Sequence, residues 1–341
     1  MTADAVAVVI VTHDSAADVG ATLEALLPQM RLDDELIVVD NGSSDGTIDT
    51  VRRTAPVARV VAQGNEGFAG GAVAGAALAS SPLLLFLNPD ARPASGCLDE
   101  LRRAAWEQPT WGAWQALVTM DAGARINTAG NVVHFLGLSW AGGCGQPVAT
   151  APAGPETVAF ASGAALVVRR QAWQEVGGFD PRWFMYCEDL DLSLRLRLAG
   201  WEIGIAPGAR VEHDYDFDKG ERKWFLLERN RWWTILSDYP TALLLLLAPA
   251  LLATELALLG AAAQGGWLGA KLRAQWAVLR TLPAILSRRR AVQATSRIGA
   301  AELARRLSAD LDSPFLGPIA RVRVLVALQR GYWALVLRLL A

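Results

Sequence analysis

Cysteine is scarce: Cys97, Cys144 and Cys187 are odd in number, far apart and form no CxxC pair in 341 residues. That argues against a disulfide framework and a structural zinc site, and points to a reducing, intracellular setting. A secretory leader is also missing from the pattern, because Met1 to Ala5 carry no positive charge and the apolar run Val6 to Val11 stops at His13 and Asp14. The N-terminus is therefore expected to belong to the fold. Lysine and arginine are absent from THDSAADVG after the first apolar run, where triphosphate-binding enzymes carry a cationic glycine-rich loop. The glycine-rich GFAGGAVAG does not follow the first strand, as a dinucleotide fingerprint must, which argues against a dehydrogenase.

A large net charge is lacking too, but the value of -2 conceals an uneven distribution. Residues 265–341 hold 13 Lys+Arg against 3 Asp+Glu, a net of +10, and leave the preceding 264 residues at -12. A basic tail suits an anionic surface. Apolar and tryptophan residues interleave with the basic ones (Trp267, Lys271, Arg273, Trp276, Arg280), which favours lipid over nucleic acid. The competing reading is a solvated helical face packed on the rest of the chain.

The first ninety residues alternate short apolar runs with helix-like stretches. AVAVVIVT, ELIVVD, VARVVA and PLLLFLN read as buried strands, separated by helical spacing over Asp18 to Leu27, Thr47 to Arg53 and Phe68 to Ala79. This order predicts right-handed crossovers and a mostly parallel α/β sheet with flanking helices, whose ligands bind beyond the carboxyl ends of the strands. Those ends carry Thr12, His13 and Asp14, then Asp40, Asn41 and Gly42, then Asn65 and Gly67, then Asn88, Pro89 and Asp90. Trp111 to Pro155 reads as a variable loop or hairpin region, and regular structure is expected to return with TVAFASGAALVVRR and a helix from Gln171 to Val176.

Two acidic clusters dominate, Asn-Pro-Asp at 88–90 and Glu-Asp-Leu-Asp at 188–191, followed by His213 after a further strand. A carboxylate at a strand end facing a nucleotide diphosphate calls for a divalent cation, Mn²⁺ or Mg²⁺, and a histidine ligand tilts the choice toward Mn²⁺. On the helix starting near 188, Asp191 and Arg195 share a face and are expected to pair, while Asp189 is left to face the crevice.

The stretches VVIVTHDS, ELIVVDNGSSDGT, QGNEGFAGG, LLLFLNPDARP, SGAALVVRR, VGGFDPRWFMYCEDLDLSLRLRLAGW, VEHD and ERNRWW, in this order over roughly residues 6–233, resemble the family 2 glycosyltransferases of the GT-A fold, in particular their rhamnosyltransferase-like branch. The resemblance implies a GT-A catalytic domain over 1–235, and the charge and apolar pattern that follow read as a helical, basic, membrane-associating region over 236–341. It implies an inverting transfer from a dTDP- or UDP-sugar to a lipid-linked or cell-envelope glycan acceptor. It further implies that Thr12, Asp14, Asp40, Asn65, Gly67, Asn88 and Arg229 serve the donor nucleotide, with Asp40 accepting the pyrimidine N–H and Arg229 directed at the diphosphate. Asp90 and His213 would ligate the metal, Asp189 would be the general base, and Glu188 would support it. His13 stands where the family usually has Tyr, Asp14 where it has Asn, and Val73 where the glycine-rich segment often has Asn. A nucleotidyltransferase and a non-catalytic membrane-bound sugar-binding protein of the same fold stay as alternatives.

Leu243 to Ala263 is long enough to cross a bilayer, but Pro249 and Glu255 oppose a span, and a single crossing would carry the basic tail away from the cytoplasm. The expected arrangement is a re-entrant or in-plane helical hairpin at the cytoplasmic face of the membrane, with Trp267 to Arg290 at the headgroups.

Overall fold

A computed structural model describes residues 2, 4–214, 220–313 and 323–341. In chain order its elements are β1 (Val6–Thr12), α1 (Val19–Leu26), β2 (Glu35–Asp40), α2 (Thr47–Thr54), β3 (Arg59–Ala62), α3 (Gly67–Leu78), β4 (Leu83–Leu87), β5 (Arg92–Pro93), α4 (Cys97–Glu107), β6 (Trp111–Met120), β7 (Arg125–Thr128), β8 (Asn131–Val133), β9 (Ser139–Ala141), β10 (Glu156–Thr157), β11 (Ala165–Arg169), α5 (Arg170–Val176), α6 (Glu188–Leu198), β12 (Glu202–Glu212), α7 (Gly220–Asp238), α8 (Thr241–Gln264), α9 (Leu268–Ala294), α10 (Ala300–Ala304) and α11 (Arg323–Leu340).

The chain divides into two compact units. The first comprises 1–131, 141–196 and 201–215, and the second 132–140, 197–200 and 216–341. This division groups α7 with the later helices, whereas the sequence pattern carries the catalytic region on to 235.

In the first unit the strands run in the order β10-β12-β6-β11-β4-β1-β2-β3, with β5 beside β12 and β7 beside β6. β1 and β4 are buried along their whole length, which is why VAVVIVT and LLLFL are unbroken apolar runs with no polar alternation. The strands from the first ninety residues are all parallel, and Thr12 at the end of β1 is in register with Asp40 at the end of β2. β11 then runs against both β4 and β6, and β6 and β12 are parallel again. β6 corrects the expectation of a loop or hairpin after Trp111, being a ten-residue strand inside the sheet. Its polar Gln115 breaks the apolar run, yet is fully buried because Oε1 accepts from the Ser162 N–H at 2.9 Å.

Glycine sets how close α3 lies to the sheet. A Cβ on Gly71 would fall 2.5 Å from Val11 Cγ1, and one on Gly75 2.4 Å from Val9 Cγ1, so the helix rests directly on β1. The main core fills the other face with Val8, Ile10, Leu23, Val38, Leu85 and Trp114 among others.

The second unit is helical. Its centre is a buried quartet joining three helices: the Lys271 ammonium of α9 lies 2.5 Å from Glu228 of α7 and 3.0 Å from Glu255 of α8, and Arg231 of α7 pairs with both acids. Gln275 adds a bond to Glu255 at 2.8 Å. Glu255, an obstacle when α8 is considered alone, is thus neutralised inside the unit. Arg289 caps the end of α7 by donating to the Leu236 and Tyr239 carbonyls at 2.8 and 2.7 Å, and Arg288 pairs with Asp238 at 3.0 Å. Three basic residues of α9 therefore face inward, so the packed-face reading of the tail holds for half of that helix.

Candidate active site

Thr12 and Asp40 meet because their strands are adjacent and in register. The Asp40 carboxylate is buried, with Oδ1 accepting from Thr12 Oγ1 at 2.9 Å and from Ser43 Oγ at 2.5 Å, and Oδ2 from the Ser43 N–H at 2.9 Å. Asp14 adopts a left-handed φ of 48°, a conformation that Asp and Asn tolerate best among residues with a side chain, and accepts from the Ser44 N–H at 2.8 Å. The two loops that follow β1 and β2 are thereby tied together by acids on both sides.

His13 extends this tie to the next strand end. Its Nδ1 lies 3.1 Å from the Asn41 carbonyl, which can only accept, so Nδ1 carries the proton and Nε2 accepts from Asn65 Nδ2 at 3.1 Å. Asn65 in turn accepts from the Gly67 N–H at 3.0 Å, and Asn41 Nδ2 donates to the Gly67 carbonyl at 2.8 Å. The histidine that departs from the family's usual tyrosine is thus a fixed cross-link between the first and third strand ends.

Gly67 has a φ of 71°, and a Cβ there would sit 2.2 Å from the Phe184 carbonyl oxygen, which accepts from the Ala69 N–H at 3.1 Å. Phe184, Tyr186 and Cys187 all have positive φ (64°, 69° and 63°), an expensive backbone for residues with side chains and one found preferentially at functional sites. This strap leads straight into α6.

Asp189, in the first turn of α6, is half-buried; Oδ2 accepts from the Gly163 N–H at 3.0 Å and Oδ1 from the Leu190 N–H at 2.8 Å. Burial raises its pKa, with those two amides pulling the other way. Glu188 is 7% exposed, its Oε2 has no hydrogen-bond partner among the described residues, and burial followed by the charge of Asp189 pushes its pKa up to about 8. Asp191 pairs with Arg195 at 2.5 Å, as the helical spacing predicts.

Asp90 and His213 are brought together, with Oδ1 3.1 Å from Nε2. His213 is held after β12 by its N–H to the Thr119 carbonyl at 2.8 Å and by Asn127 Nδ2 on its own carbonyl at 2.9 Å. Adjacent residues of one loop connect this corner to Asp189: Gly163 donates to its carboxylate, and the Ala164 carbonyl accepts from the Asn88 N–H at 3.0 Å. Among the described residues no three His, Cys, Asp or Glu side chains converge on one point. Arg229 belongs to the second unit, where its guanidinium covers the Trp233 ring at 4.6 Å and donates to Asn230 at 2.8 Å.

His13, Ser43, Gln115 and Gly163 support the site without having been singled out as ligands or catalysts. Their signal lies in backbone contacts across the fold, which sequence spacing does not carry.

Residues 3–234 match the profile of the glycosyltransferase-like family 2. The N-acetylglucosaminyl-diphospho-decaprenol L-rhamnosyltransferase of Mycobacterium tuberculosis is 33% identical over 242 residues, covering 62% of this chain and 76% of that protein. The rhamnosyltransferase WbbL of Escherichia coli K12 is 36% identical over 75 residues, 22% of this chain and 27% of that one. Among solved structures, the mannosyltransferase PcManGT of Pyrobaculum calidifontis, in complex with GDP-Man and Mn²⁺, superposes with a TM-score of 0.50 at 18% identity over 88% of this chain and 86% of that one. GalNAc-T7 with UDP, GalNAc and Mn²⁺ gives 0.54 at 15% identity over 70% of this chain, which spans 48% of that structure. These likenesses give the fold as GT-A, and the family match sets aside the nucleotidyltransferase and non-catalytic readings. With that match extending over more than half of its length, the chain belongs to glycosyltransferase-like family 2.

Proposed function

We propose that the chain is an inverting transferase that moves rhamnose or a similar sugar from a dTDP- or UDP-activated donor to a lipid-linked or cell-envelope glycan acceptor at the cytoplasmic face of a membrane. The observation that carries the mechanism is the pair of backbone amides fixing Asp189, one of them on the loop that also holds Asn88 two residues before Asp90. Asp189 takes the proton of an acceptor hydroxyl as its oxygen bonds to the anomeric carbon. The bond from that carbon to the diphosphate oxygen breaks on the opposite face, so the configuration inverts and the nucleoside diphosphate leaves.

Asp90 and His213, with Oδ1 3.1 Å from Nε2, are of the right ligand types and would be the residues to hold a divalent cation. Mn²⁺ or Mg²⁺ held there would supply positive charge to the leaving group. Thr12 and Ser43 fix the Asp40 carboxylate at the strand end, where Oδ2 keeps lone-pair capacity for a base N–H. For Arg229 the reading rests on the family resemblance alone. The relatives named as rhamnosyltransferases, one of them acting on a diphospho-decaprenol acceptor, support the choice of sugar and acceptor class.

Asp189→Asn should keep donor binding and lose nearly all transfer, because an amide cannot accept the hydroxyl proton. Turnover within a few-fold of the parent would remove Asp189 from the role of base.

A further inference from the structure

Outside the second unit the large apolar side chains that face solvent are scattered: Leu32, Val57, Trp106 and Met185. Within it they form rows. On α8 the exposed Leu245, Leu252 and Leu256 recur at helical spacing, on α9 Leu272, Trp276 and Leu279 do the same, and on α11 Leu328, Leu335 and Leu339 follow suit. α11 is seated on its opposite side, where Trp333 and Val336 are buried, Trp333 stacks on Phe135 with centroids 4.9 Å apart, and Tyr332 donates to the Leu246 carbonyl of α8. α8 packs beside both α9 and α11.

Charge says what covers these rows. α9 and α11 contain no acid, and the one acid of α8, Glu255, is spent on Arg231, Lys271 and Gln275. The exposed charges of the three helices are arginines alone, Arg273, Arg280 and Arg290 on α9 and Arg323, Arg330 and Arg338 on α11. Two of them touch exposed acids, Arg273 with Glu221 and Arg330 with Asp310, in solvent-screened pairs that hold little. Apolar rows on helices that expose arginines and no acids of their own complement an anionic lipid surface.

The quartet decides the orientation of α8. A crossing α8 would carry Glu255 toward the middle of the bilayer, and with it Arg231, Glu228 and the charged length of α7 to which it is bonded. Lying flat, the same helix keeps the quartet above the lipid and its leucine row in it.

We infer that α8, α9 and α11 together form a docking face for an anionic bilayer, with α8 in the plane of the membrane. The inference rests on the membrane-facing part of the proposed function and adds α11 to it. The test uses the full chain floated with phosphatidylglycerol-containing vesicles and with phosphatidylcholine vesicles. The expected result is preferential binding to the anionic vesicles that weakens in high salt and falls by about tenfold or more in Leu328→Glu/Leu335→Glu. A protease site inserted at Gly266, in the turn after α8, should be cut from outside the vesicles. Binding unchanged in the double variant, equal binding to both vesicle types, or a Gly266 site protected until detergent is added would each overturn the inference. So would a stable dimer of the parent that the double variant breaks while the parent ignores vesicles, since a second copy would then cover the face. Nucleoside diphosphate binding by the double variant should match the parent, so failure of the transferase reading registers separately.

Discussion

Glu188 is where a single residue has the clearest measurable signature. The folded chain keeps its proton up to about pH 8, whereas an unfolded chain releases it near 4.5, so stability falls as pH rises between the two values and levels off above. Glu188→Gln removes that slope. The variant should match the parent near the acid end and exceed it by roughly a few kcal/mol at about pH 8, as read from urea melts across the range. Parallel stability curves would show that the carboxyl ionises normally. The Asp90 and His213 pair makes a separate demand. Asp90→Asn and His213→Ala should each weaken Mn²⁺-dependent nucleoside diphosphate binding by on the order of tenfold or more, the scale at which even the outer partners of a bound metal act. Calorimetry giving the same affinity with and without EDTA would take the cation out of the mechanism. Both acids and the histidine were legible as motifs, because acids after apolar runs stand out. The proton on His13 Nδ1 was not, since it follows from a carbonyl 28 residues away.

At the level of elements, β1, β2 and β4 could be read directly because burial on both faces demands continuous apolar runs. β6 was hidden by Gln115, whose burial depends on Ser162, a partner that only the folded chain supplies. The reversal of β11 was equally hidden, because a five-residue apolar strand reads the same in either direction. α3 gives a test of close packing. Gly75→Ala should destabilise by about 1–2 kcal/mol although alanine is the better helix former, since overpacking against Val9 outweighs a propensity gain of about 1 kcal/mol. Gly260→Ala on α8, where an added Cβ meets nothing within 4 Å among the described residues, should show the propensity gain alone. Equal effects at the two sites in chemical denaturation would refute the tight seat of α3 on β1. Lys271→Met should be far costlier, about 3–5 kcal/mol, because it leaves two buried carboxylates with one cation. A loss under about 1 kcal/mol would show the quartet to be solvated.

For the whole molecule, the contrast between -12 and +10 and a lipid surface as its use were plain in the sequence, but which cations serve that use was not. Only the fold separates the inward Lys271, Arg288 and Arg289 from the outward arginines, and so distinguishes cations that hold the helices together from cations left for a surface. On the proposed membrane docking and lipid-linked acceptor, that outward face, with apolar rows on helices whose own exposed charges are arginines, would change how the enzyme meets its acceptor. Search would then be confined to two dimensions, and the relevant concentration would be the mole fraction of acceptor in the bilayer rather than its amount per volume. Diluting a fixed quantity of lipid-linked acceptor with inert anionic lipid should therefore slow transfer even though nothing in the bulk solution has changed. A rate that follows bulk acceptor concentration regardless of added lipid would mean that the chain collects its acceptor from solution.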